Sequence, residues 1–114
     1  TALAEADAEQ VRLASFDGKT GVAVVRLANG TGFAVADRLP ELPADRTYQL
    51  WALRPDAKIS LGLLGRDPDV VPFQMVGPVL GYAITDEVAA GVKESTRSPV
   101  VLGLIDAGQK AQNS

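Results

Sequence analysis

Carboxylates and hydroxyls are the only side chains in this sequence whose spacing invites a chemical reading. Asp67 and Asp69 flank a proline in "RDPD", Asp86 and Glu87 are adjacent in "ITDE", and Asp106 stands apart. Two acids about 5–10 Å apart across a cleft would serve glycoside hydrolysis. Acids set this close in a turn more often bond their own backbone, which is why aspartate favours turns. Ser60, Ser95, Thr96 and Ser98 would each need a base to become nucleophiles. The chain has neither histidine nor cysteine, so it holds no Ser-His-Asp triad, no thiolate, and no imidazole or thiolate metal ligand. No Ser-x-x-Lys spacing occurs. The acids lack EF-hand spacing, and the glycines, including Gly30, Gly32, Gly62 and Gly65, form no phosphate-cradling loop. The reading is therefore a non-enzyme with no catalytic residue, no metal and no cofactor.

The elements that would position any site are short and β-rich. Runs at 11–16, 21–28, 31–39, 46–54, 59–65, 70–76, 79–87 and 99–105 are separated by turn chemistry. Asp17-Gly18 and Asn29-Gly30 are hairpin signals, and "PELPAD", "PDAK" and "RDPD" punctuate the rest. In the third run Phe33, Val35 and Leu39 share one face and Ala34, Ala36 and Arg38 the other; in the fifth, Ile59, Leu61 and Leu63 alternate. Strands at roughly 8–12-residue spacing without an amphipathic helix predict an all-β fold. The expected form is an antiparallel β-sandwich of about seven to eight strands, Greek-key or Ig-like. Residues 86–97 have room for one helical turn at most, because Gly91 and the β-branched residues oppose more. We expect one domain over 10–105, a stalk or unstructured start over 1–9, and a polar tail over 106–114.

Bulk properties narrow the partners. The 114 residues carry a net charge of −3 with no basic stripe, which argues against nucleic acid. The longest uncharged stretch, residues 70–85, is shorter than a membrane span and is broken by Pro72, Gly77, Pro78 and Gly81. The sequence starts at Thr1 and has no charged-apolar-small leader, so it reads as a processed chain or a soluble fragment of a longer one.

The sole tryptophan, Trp51, lies in "RTYQLWALR". Strand alternation puts Gln49, Trp51 and Leu53 on one face and Tyr48, Leu50 and Ala52 on the other. Both faces are largely apolar, so the strand is expected inside a sheet with cover on each side. A buried structural Trp51 is the favoured reading, against a platform for a ligand.

"LPADRTYQLWAL" followed by "SLGLLG" resembles the C-terminal domain of anti-sigma-K-factor-type (RskA-like) proteins. The likeness extends back through "ADAEQVRL" and "GTGFAVADRLPELP" and forward to "YAITDEVAAGVKESTRSPVVLG", covering most of residues 6–104. Tyr48, Gln49, Leu50, Trp51, Leu61 and Gly62 stand on the family's signature positions and are read as structural. The departures cluster in one loop: Val88 replaces a proline, Ala90-Gly91 a Gly-Gly pair, and Ser95-Thr96 lies near a Pro-Thr. The resemblance implies a parent with a cytoplasmic helical domain that holds a sigma factor, one membrane helix, and this domain on the extracytoplasmic side. It also implies release of the sigma factor through stepwise proteolysis, with a site-1-type protease as partner. The signal or ligand is unknown. The alternative expectation is a free-standing secreted β-sandwich that binds a carbohydrate or a protein surface.

Overall fold

The structure is a computed structural model that describes residues 9–15, 18–27, 29–93 and 98–105. Residues 1–8 of the expected stalk, the expected tail over 106–114, and Ser95 and Thr96 lie outside the described residues. Eight strands follow in order: β1 (Glu9–Ala14), β2 (Gly21–Arg26), β3 (Thr31–Val35), β4 (Arg46–Arg54), β5 (Ala57–Gly65), β6 (Val70–Gln74), β7 (Gly81–Val88) and β8 (Val101–Leu104). Every pairing is antiparallel, and no helix occurs among the described residues. The all-β antiparallel expectation therefore holds.

The layering differs from two separately bonded sheets. All eight strands belong to one sheet in the order β5-β4-β7-β8-β1-β2-β3-β6, which curls until its end strands come near each other beside the turn at 66–69. Curling gives the sheet an inside. Val11 and Leu13 of β1 sit opposite Val24 and Val22 of β2, and these four pack with Ala34, Tyr48, Leu50, Ala52, Phe73, Tyr82, Ile84 and Val101 in one core. Ala34 of β3, and Ala36 just past it, face this core while Phe33 faces out, because the curled interior beside Phe73 leaves little room there. A Cβ added at Gly32 would run into the Phe73 ring.

The regular alternation expected for β5 is broken. Its register to β4 runs Tyr48↔Gly65, Gln49↔Leu63, Leu50↔Gly62 and Trp51↔Ser60, so Leu64 and Leu61 are each an extra residue in a bulge. Gly62 and Gly65 take φ of 129° and 90°, a left-handed region that glycine enters without a Cβ penalty. The two bulges turn Leu64 into the core and leave Leu63 45 % exposed. Bulges on β5 and the exposed Pro72 on β6 also blunt the sheet's two free edges, since both interrupt the donor row that another strand would need.

Candidate functional site

The four residues Tyr48 to Trp51 alternate between the two sides of the sheet. Tyr48 and Leu50 face the main core. The Tyr48 hydroxyl donates to the carbonyl of Pro40, tying the proline loop after β3 to the fourth strand. Gln49 and Trp51 point the other way, to the outer face of β4, with Thr47 beside them. Across the ladder on β7 stand Glu87, Thr85 and Ala83, paired with Thr47, Gln49 and Trp51.

An outer sheet face would ordinarily meet water. Here it is covered: Trp51 is 1 % exposed, Gln49 2 % and Glu87 3 %. Over Gln49 the cover comes from residues 89–93, which follow β7. Ala89 N–H donates to the Asp45 carbonyl and Val100 N–H to the Ile84 carbonyl. Between these ties the Gln49 amide clasps Val92. Its Nε2 donates to the Val92 carbonyl at 2.9 Å and its Oε1 accepts from the Val92 N–H at 3.0 Å, while Nε2 also donates to Ser60 Oγ at 2.8 Å. Gly91, at φ 78°, lies so close that a Cβ would come within 2.7 Å of Leu63 Cδ2. The indole Nε1 donates to Thr85 Oγ1 at 2.9 Å, and Thr47 Oγ1 accepts from the Gly65 N–H at 3.1 Å. No buried side-chain nitrogen or oxygen among the described residues lacks a partner, as a stable buried polar cluster requires.

This arrangement is a second, polar core around the indole, separated from the apolar core by the sheet itself. It presents no ring face to a ligand. Replacing Gln49 by leucine leaves both Val92 groups without partners, and a lost buried hydrogen bond costs about 1–3 kcal/mol. The expected result is faster cleavage within residues 89–93 in limited proteolysis, with the remainder of the domain still resistant.

The carboxylates are dispersed. Asp86 is held by Arg46, whose Nε donates to Oδ1 at 2.8 Å and whose second nitrogen donates to the Asp86 carbonyl at 2.9 Å. Glu87, its neighbour in the strand, faces the opposite side of the sheet and is buried and partnered, so the two acids share no cleft. Asp67 and Asp69 are exposed residues of the turn between β5 and β6. Ser60 is a partner of Gln49 and Ser98 is exposed. No cluster of acids fit to hold a metal ion is found among the described residues. Of the signature residues, Leu61 sits in a bulge and packs on the apolar core, and Gly62 gives that bulge its left-handed backbone.

One constellation has no local sequence signal. Glu9, the first residue of β1, accepts from the Tyr82 hydroxyl at 2.7 Å and from Arg26 at 3.1 Å. Arg26 also donates to the carbonyls of Met75 and Gly77 at 3.0 and 2.7 Å, beside a cleft of about 380 Å³. The partners are 17 and 73 residues away in the chain, beyond the reach of any motif. The phenols here depart from their ordinary value of 10.0: Tyr82 is raised by burial, then by its bond to Glu9 and that residue's charge, against a smaller opposing pull from Arg26. Tyr48 is raised by burial and by the charge of Asp86. A phenol held neutral in the fold stabilises it below the ordinary phenol pKa. That contribution is lost as the pH climbs, because the unfolded chain releases its proton first. Unfolding free energy is expected to decline above about pH 10, and the decline should be shallower in Tyr82→Phe, read from denaturant melts across the alkaline range.

The model of the family described as anti-sigma-K factor rskA, C-terminal, matches residues 1–101. The chain belongs to this family. No curated protein and no solved structure matches it. The RskA-like assignment spans all four signature side chains of β4, the two β5 bulges and the covering segment, so the polar core lies wholly inside the family's domain. It also makes the chain part of a regulatory class whose partner is a sigma factor. Among the described residues no helix is long and apolar enough to cross a membrane.

Proposed function

We propose that this chain is the extracytoplasmic regulatory domain of a membrane-anchored anti-sigma factor. The observation that carries the reading is the family match over residues 1–101. The parent restrains an extracytoplasmic-function sigma factor through a cytoplasmic domain upstream of this sequence and is tethered by a single membrane helix. The residues before Glu9 are its juxtamembrane stalk, the folded body runs from β1 to residue 105, and 106–114 is a tail. Tyr48, Gln49, Leu50, Trp51, Leu61 and Gly62 act structurally, holding the two cores on either side of the sheet.

The mechanism is mechanical shielding. Support comes from how the stalk enters the fold: it leads into β1, an interior strand paired with β8 and β2, and Glu9 is pinned there by Tyr82 and Arg26. A chain held this way is withheld from a protease, which needs an extended, accessible segment. A signal or partner that loosens the domain frees the stalk for a site-1-type cleavage, and the sigma factor is then released.

Two experiments test this. The upstream coding sequence should contain an apolar run of about 20 residues, preceded by a helical region; a signal peptide alone would refute the anchored reading. In membranes carrying the full-length parent, Trp51→Ala should raise cleavage of the stalk. Unchanged cleavage with the domain unfolded would refute shielding.

A further inference from the structure

The two halves of the curled sheet are finished differently on the outside. Among the described residues, the outer face of β4 and β7 is partly covered by residues 89–93, whereas that of β1, β2 and β3 is open. At the end of β1 opposite Glu9, this open face holds a groove of about 340 Å³, within the size range of small-molecule sites. Its floor is Ala14, Gly21 and Ala23, small outward residues paired across β1 and β2. Its walls bring cations from three segments: Arg12 of β1, Lys19 of the β1–β2 turn, and Arg38 just past β3. In a chain of net charge −3, this gathering runs against the overall balance. Lys19 has an interaction of its own. The side chains of Arg12 and Arg38 are exposed and make no hydrogen bond or ion pair within the described residues. Asp37 also lines the groove.

We propose that this groove binds an acidic sugar. The oxyanion sits between Arg12 and Arg38, whose planar guanidinium groups match carboxylate and phosphate geometry. A purely anionic ligand would be repelled by Asp37, but a sugar ring brings hydroxyls that donate to that carboxylate. The ring lies over Ala23 and Val35, which are paired neighbours, and points along β3 toward Phe33, an outward aromatic 38 % exposed. A peptide is a poorer fit. β1, β2 and β3 are each paired on both sides, so no free edge is present for strand addition, the usual way a sheet takes up an extended peptide. The groove serves a membrane-bound or a free-standing chain equally, so it stands or falls apart from the anti-sigma assignment.

The test is an amide-resolved NMR titration at constant ionic strength with galacturonate oligomers, with glucose 6-phosphate, and with neutral glucose. Saturable shifts are expected at Arg12, Ala23, Val35 and Arg38 with either acidic sugar, and the stronger of the two separates a carboxylate from a phosphate source. The Arg12→Gln/Arg38→Gln variant alters only exposed side chains, so its melting temperature should match the wild type. Its affinity should fall about tenfold or more, the scale of one lost charge-assisted bond. The proposal is overturned if neither acidic sugar gives saturable shifts, if glucose shifts the same amides equally, or if the variant binds as tightly as the wild type. An aspartate-rich peptide shifting those amides as strongly as the sugars would overturn it too.

Discussion

Replacing Trp51 by alanine should destabilise the domain by about 3–5 kcal/mol, the usual cost of truncating a fully buried tryptophan. The side chain is the largest of those sealed from solvent, and its loss removes more than contact area. Thr85 loses the donor that satisfies its hydroxyl at 2.9 Å, on the same sheet face where Gln49 holds Val92. Natural domains are stable by only about 5–15 kcal/mol, so a large share disappears. A fall in melting temperature of more than about 10 °C is expected in a chain of this size, measured by circular dichroism. Trp51→Phe should lose less, since the ring keeps most of its volume and forfeits only the N–H. The wild-type indole is itself a reporter: its fluorescence should resist acrylamide quenching until the fold opens. A Trp51→Ala protein that melted with the wild type would remove the indole from the stability of the fold and return it to a ligand role.

The second large effect is expected at Gly103, where nothing about the backbone conformation demands glycine. The constraint is proximity. β8 is four residues long and lies between β7 and β1; a Cβ on Gly103 would strike the carbonyl oxygen of Arg12, with the Arg12 carbonyl carbon at 3.0 Å and Leu13 Cδ2 at 2.6 Å. On the other side, a Cβ on Gly81 would strike the Gly103 carbonyl oxygen and come within 2.8 Å of Leu104 Cα. Backbone atoms in a paired strand cannot swing aside as a side chain can. Gly103→Ala therefore either separates β8 from β1 or does not fold, at a cost at or above the 1–3 kcal/mol usual for overpacking. Gly32→Ala is the comparison. The atoms nearest its added methyl all belong to the Phe73 ring, a side chain that can shift, so the loss should be smaller. Denaturant midpoints for the two variants decide the matter: equal midpoints would mean that the close backbone approach of β8 to β1 does not limit the stability of the sheet.

Both effects depend on how the strands assemble, and that is where legibility in the sequence stops. Each of the eight strands could be placed from apolar runs and turn residues, because β alternation and the demands of Asp-Gly, Asn-Gly and Pro turns are local. The β4 span, Arg46–Arg54, coincides with the expected run, and its two-sided apolar character foretold cover on both faces. The source of the second cover was not visible. Gln49 reaches Val92 across 43 residues, in the very loop where the sequence departs most from its family's pattern.

Local chemistry also could not resolve "SLGLLG". Ile59, Leu61 and Leu63 read as a plain alternation, yet two bulges send Leu64 inward and leave Leu63 outside. A bulge is defined by the partner strand, and the partner is chosen by the whole sheet. The Glu9–Arg26–Tyr82 cluster follows the same rule, since none of the three residues is distinctive in its own segment.

What the amino-acid order determined by itself was the supply of groups: β-forming runs, turns between them, and no imidazole or thiol. That supply set the all-β class and ruled out imidazole- or thiol-based chemistry. Tertiary structure alone decided that one sheet would curl rather than two stack, which side of β4 would be apolar and which polar, and where the unpaired arginines would gather. Side-chain period is a property of a single strand, whereas register, closure and cover arise from contacts between residues far apart in the chain, whose energies no short window contains.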